Sequence, residues 1–233
     1  MKKLIILLAG FTALSGYTQS ASQTFQIKEN NDKSYAIQLA QVADESKFAD
    51  YRQKLDVILK QSGGYIERIF DMDPPRGNIE GFEQMNRALV IFYGSNNSKS
   101  KDALKKLHTF LATFDFKVIT FNGFSALSET SDSNWKDRFY LMKISHFKDN
   151  AEGREEMLTA MGPILEKYAF KTERMLRKRS SKDSATPDEI AIHYHDSAEQ
   201  AGELQQDSEA MEAIGQYNSK YVNRFAYFTL RLR

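Results

Sequence analysis

The sequence contains no cysteine. Disulfides, thiolate metal sites and lipid-bearing cysteines are thereby excluded, and the fold must hold in an oxidising compartment without covalent staples. Tryptophan occurs once and histidine four times, so a metal centre built on imidazoles has few ligands to draw on. Neither sign of charge is in excess, since 32 Lys and Arg stand against 31 Asp and Glu. That balance removes the global argument for nucleic acid as a partner. The chain also lacks a P-loop, G-x-G-x-x-G, G-x-S-x-G and H-E-x-x-H, so no motif calls for a cofactor and none is expected.

An apolar run from Leu4 to Ala13 follows Lys2 and Lys3 and precedes small and polar residues. About 20 residues are needed to span a bilayer, so the run is too short for a stable membrane anchor. Residues 1–20 read instead as a secretory signal peptide, with cleavage near Ser20. Leu14-Ser15-Gly16 resembles the start of a lipoprotein box, but Tyr17 stands where the lipid-bearing cysteine would be. A periplasmic or secreted product is expected. Loss of Lys2 and Lys3 would take the formal charge from +1 to −1 (1 − 2 = −1).

The 233 residues, 41% of them hydrophobic, suffice for one large domain or two small ones. Strand and helix periods alternate along them. Residues 33–42 show period two, and Phe48, Tyr51, Leu55, Ile58 and Leu59 recur at helical spacing until Gly63-Gly64 stops them. Strands follow at YIERIFDM, RALVIFY and FKVITF, with a second helix through Leu104, His108 and Leu111. The same order returns in RFYLMKISHF, a helix through Met157 to Tyr168, KTERML, EIAIHYH, a helix at 198–217 and FAYFTLRLR. A Glu-Arg pair marks the second strand of each series, at Glu67-Arg68 and, 106 positions on, Glu173-Arg174 (173 − 67 = 106). These charges, with Arg177, read as protection of a sheet edge.

The expected architecture is α+β: two tandem ferredoxin-like βαββαβ repeats, at 24–124 and 138–233, joined by a linker at 125–137. Each unit leaves one sheet face bare. If the more apolar face meets the helices, the bare faces carry Gln38, Leu89, Ile91, Tyr93 and Phe121 in the first unit. In the second they carry Leu141, Lys143, Ser145, His193, His195 and Tyr227. Packing one bare face on the other buries both and makes a monomer with an internal pseudo-dimer.

With YRQKLDVILKQSGGYIERIF at its head, this pattern resembles the dimeric α/β-barrel superfamily, two copies fused, and is similar to a small bacterial domain family of unknown function. In the second unit Ala169-Phe170 stands where the first has Gly63-Gly64. The resemblance implies a working space between the sheets, used in some relatives by cofactor-free oxygenases and in others by haem enzymes.

Within that space His193, His195, Tyr227, Lys143 and Ser145 are expected at the polar end of a ligand pocket and Ile91 and Phe121 on its apolar wall. A small apolar or amphipathic molecule would suit it. Spacing of i, i+2 also lets His193 and His195 share a metal, but His146 has the other strand parity and His108 lies in the other unit, so no metal is expected. Trp135, in the linker, reads as a plug over one barrel end. With no residue type demanding catalysis, a non-catalytic binding module is the expected role, and an enzyme of the oxygenase or haem branch is the alternative. Export predicts a mature protein beginning close to residue 21, which Edman sequencing of the secreted product checks; an intact Met1 would refute it.

Overall fold

The computed structural model describes residues 30–95, 98–111, 117–125, 135–149, 152–177 and 187–233. The expected signal segment and most of the expected linker lie outside them. The elements run β1 (Asn30–Ala40), α1 (Glu45–Lys60), β2 (Tyr65–Met72), β3 (Arg76–Gly77), β4 (Arg87–Ser95), α2 (Ser98–Leu111) and β5 (Val118–Ser125). They continue β6 (Phe139–Phe147), α3 (Arg154–Glu166), β7 (Lys171–Arg177), β8 (Glu189–His195), α4 (Ala198–Gln206), α5 (Ser208–Tyr221) and β9 (Val222–Leu232).

Local chemistry sets the helix ends. Asp44 caps α1, accepting from the backbone N–H groups of Ser46 at 2.8 Å and Lys47 at 3.4 Å. After α1 the Gly64 N–H donates to the Leu59 carbonyl at 2.9 Å, with Gly63 left-handed at φ 77°. α3 stops in the same way without glycine: Ala169 takes φ 47° and the Phe170 N–H donates to the Leu165 carbonyl at 3.3 Å. The single helix expected over 198–217 is two, because Asp207 leaves helical geometry (φ −78°, ψ 112°) and caps α5 through the Ala210 N–H at 3.0 Å. The two-residue strand β3 carries too little pattern to be foreseen.

The sheet order is β2-β4-β1-β5-β7-β8-β6-β9, with β3 on the outer edge of β9. All its pairings are antiparallel. β5 joins β7 through Phe124–Ser125 and Leu176–Arg177, and β2 joins β9 through Phe70–Met72 and Leu230–Leu232. The sheet therefore closes into a ferredoxin-like α/β barrel, the α+β class expected.

Three apolar clusters define its layers. One contains Tyr35, Ile37, Val90, Phe121, Tyr140, Met142, Ile144, Ile192, Tyr194 and Phe228, with no helix residue, and fills the interior. The other two join α1 and α2 to one set of strands and α3 and α5 to the other. The expected assignment of faces is thus inverted: the more apolar face points inward, and the face carrying polar residues lies beneath helices. His146, by strand parity, falls with Met142 and Ile144 rather than towards the helices.

Closure leaves few edges to protect, and the Glu-Arg pairs do something else. The pairing register breaks between Ile66 and Arg68 and again between Thr172 and Arg174, so each glutamate occupies a bulge, which re-aims its side chain. Arg174 donates to both Glu67 carboxylate oxygens at 3.0 and 2.9 Å, and the Arg68 Nε stands 3.4 Å from Glu173. β2 and β7 lie half the ring apart, so these contacts cross the barrel at one end. Arg174 lies 3.8 Å above the Tyr35 ring, Arg138 3.8 Å above Tyr194 and Arg68 4.6 Å above Trp135. At the opposite end of β2, Ile79, Phe82 and Met85 close the interior.

Arg174 is buried, so removing one partner strands a charge, which costs about 3–5 kcal/mol, whereas replacing both by apolar groups is close to neutral. Arg174→Met should lower urea-unfolding stability by about 3 kcal/mol, and Glu67→Leu added to it should restore most of the loss. A double variant as unstable as the sum of the two singles would contradict a paired role.

Candidate functional site

The outer face of β7, β8, β6 and β9, under α3 and α5, gathers most of the residues expected in a pocket. Lys143 pairs in register with Ala191 and Tyr227, Ser145 with Glu189 and Phe225, Leu141 with His193 and Thr229, and Phe139 with His195. Period two on β6 and β8 places these side chains on one face. His193, His195, Tyr227, Lys143 and Ser145 are therefore together, as expected, but between sheet and helices rather than between the sheets. Ile91 sits beneath α1 and α2, and of the seven only Phe121 reaches the barrel interior, where it stacks on Phe82 at 6.3 Å. Polar residues tolerate the helix-covered layer when the helix answers them, as Tyr51 does by donating its hydroxyl to the Gln38 Oε1 at 2.6 Å.

Lys143 is not answered in that way. Its side chain is 1% exposed and its Nζ has no hydrogen-bond partner, lying instead 5.9 Å from the Tyr217 ring centre and 5.8 Å from that of Tyr227. Burial pulls its pKa down from 10.5 to about 7; the Glu189 carboxylate opposes that pull and the Arg154 guanidinium reinforces it. Ser145, two residues along the strand, also has an Oγ without a partner, as do both side-chain heteroatoms of Asn218 on α5. Glu189 is 2% exposed and accepts from the Arg177 Nε at 3.0 Å; burial nevertheless raises its carboxyl pKa. Arg177, read from sequence as edge charge, is thus the partner that makes this buried carboxylate tolerable.

The two histidines occupy the other end of the layer. The His195 Nδ1–H donates to the Tyr168 carbonyl at 2.8 Å, which leaves Nε2 as the unprotonated nitrogen. The His193 Nδ1 lies 2.9 Å from the Thr172 hydroxyl. Burial, then the charge of Lys143, holds His193 well below its usual pKa, and burial lowers that of His195 too. Phe170 covers both rings, stacked on His193 at 4.9 Å and edge-on to His195 at 5.1 Å. An axial haem ligand needs a free face of space beside its ring nitrogen. Both histidines are buried and Phe170 packs on both rings, so these residues do not fit a haem. Among the described residues no three His, Asp or Glu side chains come together as a metal site.

A cleft of about 430 Å³ reaches this layer from the side of β6 and β9. Its walls are Pro74, Pro75, Phe139 and Leu141, its polar groups come from Asp73, Arg76, Gln205 and Thr229, and Tyr227 also lines it. Lys143 stands directly behind, the cross-strand partner of Tyr227 and two residues along β6 from Leu141. The volume falls in the range of ligand pockets, about 300–1,000 Å³. A larger groove of about 520 Å³ lies between α1 and β2, lined by Arg52, Asp56, Tyr65 and Arg233. It is an open surface feature away from the buried polar groups, so the chemistry is assigned to the smaller cleft. Sequence reasoning missed that cleft because Pro74 to Arg76 carry no periodic signal.

No protein-family model matches the chain, and no curated protein matches it in sequence. Solved structures do share its fold. An anthrone oxidase-like protein is 13% identical, with 88% of this chain and 94% of that one covered at a TM-score of 0.51. A variant of chlorite dismutase from Candidatus Nitrospira defluvii is 9% identical, with 87% and 92% covered and a TM-score of 0.51. These neighbours belong to the dimeric α/β-barrel superfamily, as the sequence resemblance implied, and at such identities the likeness is one of fold. They stand against the expectation of a non-catalytic binding module, because these two neighbours are named for oxidation and dismutation.

The unfolded chain holds the Lys143 proton up to about pH 10.5, whereas the folded chain releases it near pH 7. Folding therefore expels a proton in that window, and stability rises with pH across it by up to about 1.4 kcal/mol per unit. Lys143→Met should be more stable than the parent at pH 6, with the advantage shrinking steadily towards pH 10 in urea titrations. A difference independent of pH would refute the buried, readily neutralised amine.

Proposed function

We propose that this protein is an oxygenase-like enzyme that works by proton transfer at Lys143 and Tyr227, on an aromatic or amphipathic substrate held in the adjoining cleft. The observation that carries this reading is the placement of a buried amine without a hydrogen-bond partner 5.8 Å from the ring of the one tyrosine that lines the cleft. Such a lysine is a costly feature for a purely structural layer and a useful one for a base, since it is substantially neutral near pH 7. The shared fold with an anthrone oxidase-like protein supports the same class.

The chemistry balances with dioxygen as oxidant. A substrate CH2 group made acidic by neighbouring rings or a carbonyl gives one of its protons, by way of the Tyr227 hydroxyl, to the neutral Lys143 amine. The resulting carbanion bonds to dioxygen, the ammonium returns the proton to the peroxide, and loss of water from the hydroperoxide leaves a carbonyl. Burial favours this use of the amine, since an ordinary surface lysine would be protonated and unable to accept.

The same proposal includes an architecture of two tandem βαββαβ units, at 24–124 and 138–233, that form an internal pseudo-dimer in a monomer. The Glu-Arg pairs, each at a bulge in the second strand of its unit, support it. Only the second unit carries the catalytic layer, and the matching layer of the first is closed by Gln38, Tyr51 and Phe110. Export by residues 1–20 is part of the proposal, and a cysteine-free chain is compatible with it.

The test is oxygen-electrode turnover with anthrone and with hydroxylated naphthalenes. The wild type should consume oxygen above the autoxidation rate, rising through about pH 7. Lys143→Met should cut kcat by about 100-fold or more, the usual weight of a general base, and Tyr227→Phe by less. Unchanged turnover in a folded Lys143→Met protein would sink the proposal.

A further inference from the structure

The substrate cleft contains a cation, Arg76, that no acidic side chain among the described residues neutralises. Of its two charged residues, Asp73 is taken by Arg231. Arg76 is exposed, and among the described residues its guanidinium has neither ion pair nor hydrogen bond. Its backbone is nevertheless held firmly. Arg76 pairs in register with Tyr227 and Gly77 with Ala226, and the side chain of Asn78 accepts from the Phe225 N–H at 2.8 Å while its own N–H donates to the Phe225 carbonyl at 2.8 Å. This contact requires glycine at 77, where φ is 135° and an added Cβ would stand 2.2 Å from the Phe225 carbonyl oxygen. The chain thus fixes the backbone of Arg76 beside Tyr227, and among the described residues its guanidinium stays uncommitted.

Resting on the proposed function, we infer that Arg76 selects the substrate: the cleft takes a flat aromatic molecule bearing an anionic group, a carboxylate above all. Arg76 would hold the carboxylate in its planar fork. Pro74, Pro75, Phe139 and Leu141 would cover the ring faces. Tyr227, the register partner of Arg76, and Lys143 would meet the acidic position close to the carboxylate. Gln205, Thr229 and Tyr227 can hydrogen-bond a neutral or an anionic ring alike and Asp73 is paired with Arg231, so the guanidinium is the group that distinguishes the two.

Two probes that differ only in the carboxylate test this, 1,4-dihydroxy-2-naphthoate and 1,4-dihydroxynaphthalene, with binding measured anaerobically by fluorescence or calorimetry. Wild type should bind the naphthoate at least about tenfold more tightly than the neutral diol, as expected for a charge-assisted pair. Arg76→Ala should remove that preference without weakening the diol, and Arg76→Lys should restore part of it. Equal affinity of the wild type for both probes, or equal losses of both in Arg76→Ala, would overturn the inference. The binding readout is independent of turnover. Selective binding with no oxygen uptake would refute the proposed function and leave the anion site standing, whereas turnover of both probes at equal affinity would do the reverse.

Discussion

Two short hydrogen-bonded seams, Phe70–Met72 with Leu230–Leu232 and Phe124–Ser125 with Leu176–Arg177, turn an open sheet into a ring. A ring of about eight strands encloses a space that side chains alone can fill, and here Tyr35, Phe70, Tyr140, Tyr194 and Phe228 help to fill it. An interior so closed has no water to offer a polar group. Lys143, Ser145, Glu189, His193 and His195 lie on the outward face, where helices bury them but where a neighbouring helix, a loop or a ligand can still answer them, while Glu67 and Glu173 meet arginines at the barrel end. The layer that the proposed function uses is therefore the outer one, while the interior is filled by apolar side chains.

This partition explains which parts of the molecule were legible in the sequence. Strand and helix periods, the Gly63 stop and the α+β order could be read directly, because each is a local constraint. The grouping of Lys143, Ser145, His193, His195 and Tyr227 was legible too, since period two puts them on one face whatever that face meets. Which side of the sheet they would occupy was not, because both faces are largely apolar and the choice depends on closure at two distant seams. Gln38 shows the difficulty: without knowing that Tyr51 of α1 lies over it, nothing marks it as a helix-facing residue. The Glu-Arg repeat was visible but misread, because a bulge at Glu67 and another at Glu173 cannot be inferred from alternation.

The barrel treats its buried charges in two ways. At the barrel end each is matched: Glu67 by Arg174, and Glu173 by Arg68 with Arg138 3.9 Å away. Beneath α3 and α5 the matching is incomplete, with Glu189 satisfied by Arg177 but Lys143 left between two tyrosine rings. Polar groups left unsatisfied in an otherwise well-packed layer are where stability has been exchanged for chemistry. Tyr227, which lines the cleft, is the cross-strand neighbour of Lys143 and would give the proposed chemistry its opening.

The central claim is that Lys143 is a neutral amine near physiological pH because the fold encloses it. Direct observation of its ε-amino group by nitrogen-15 NMR, in protein with labelled lysine and assigned by comparison with Lys143→Met, tests this without a substrate. The account predicts one lysine resonance that titrates near pH 7 while the others remain protonated until about pH 10. If every lysine resonance titrates near pH 10, the amine is solvated and the base assigned to this site does not exist.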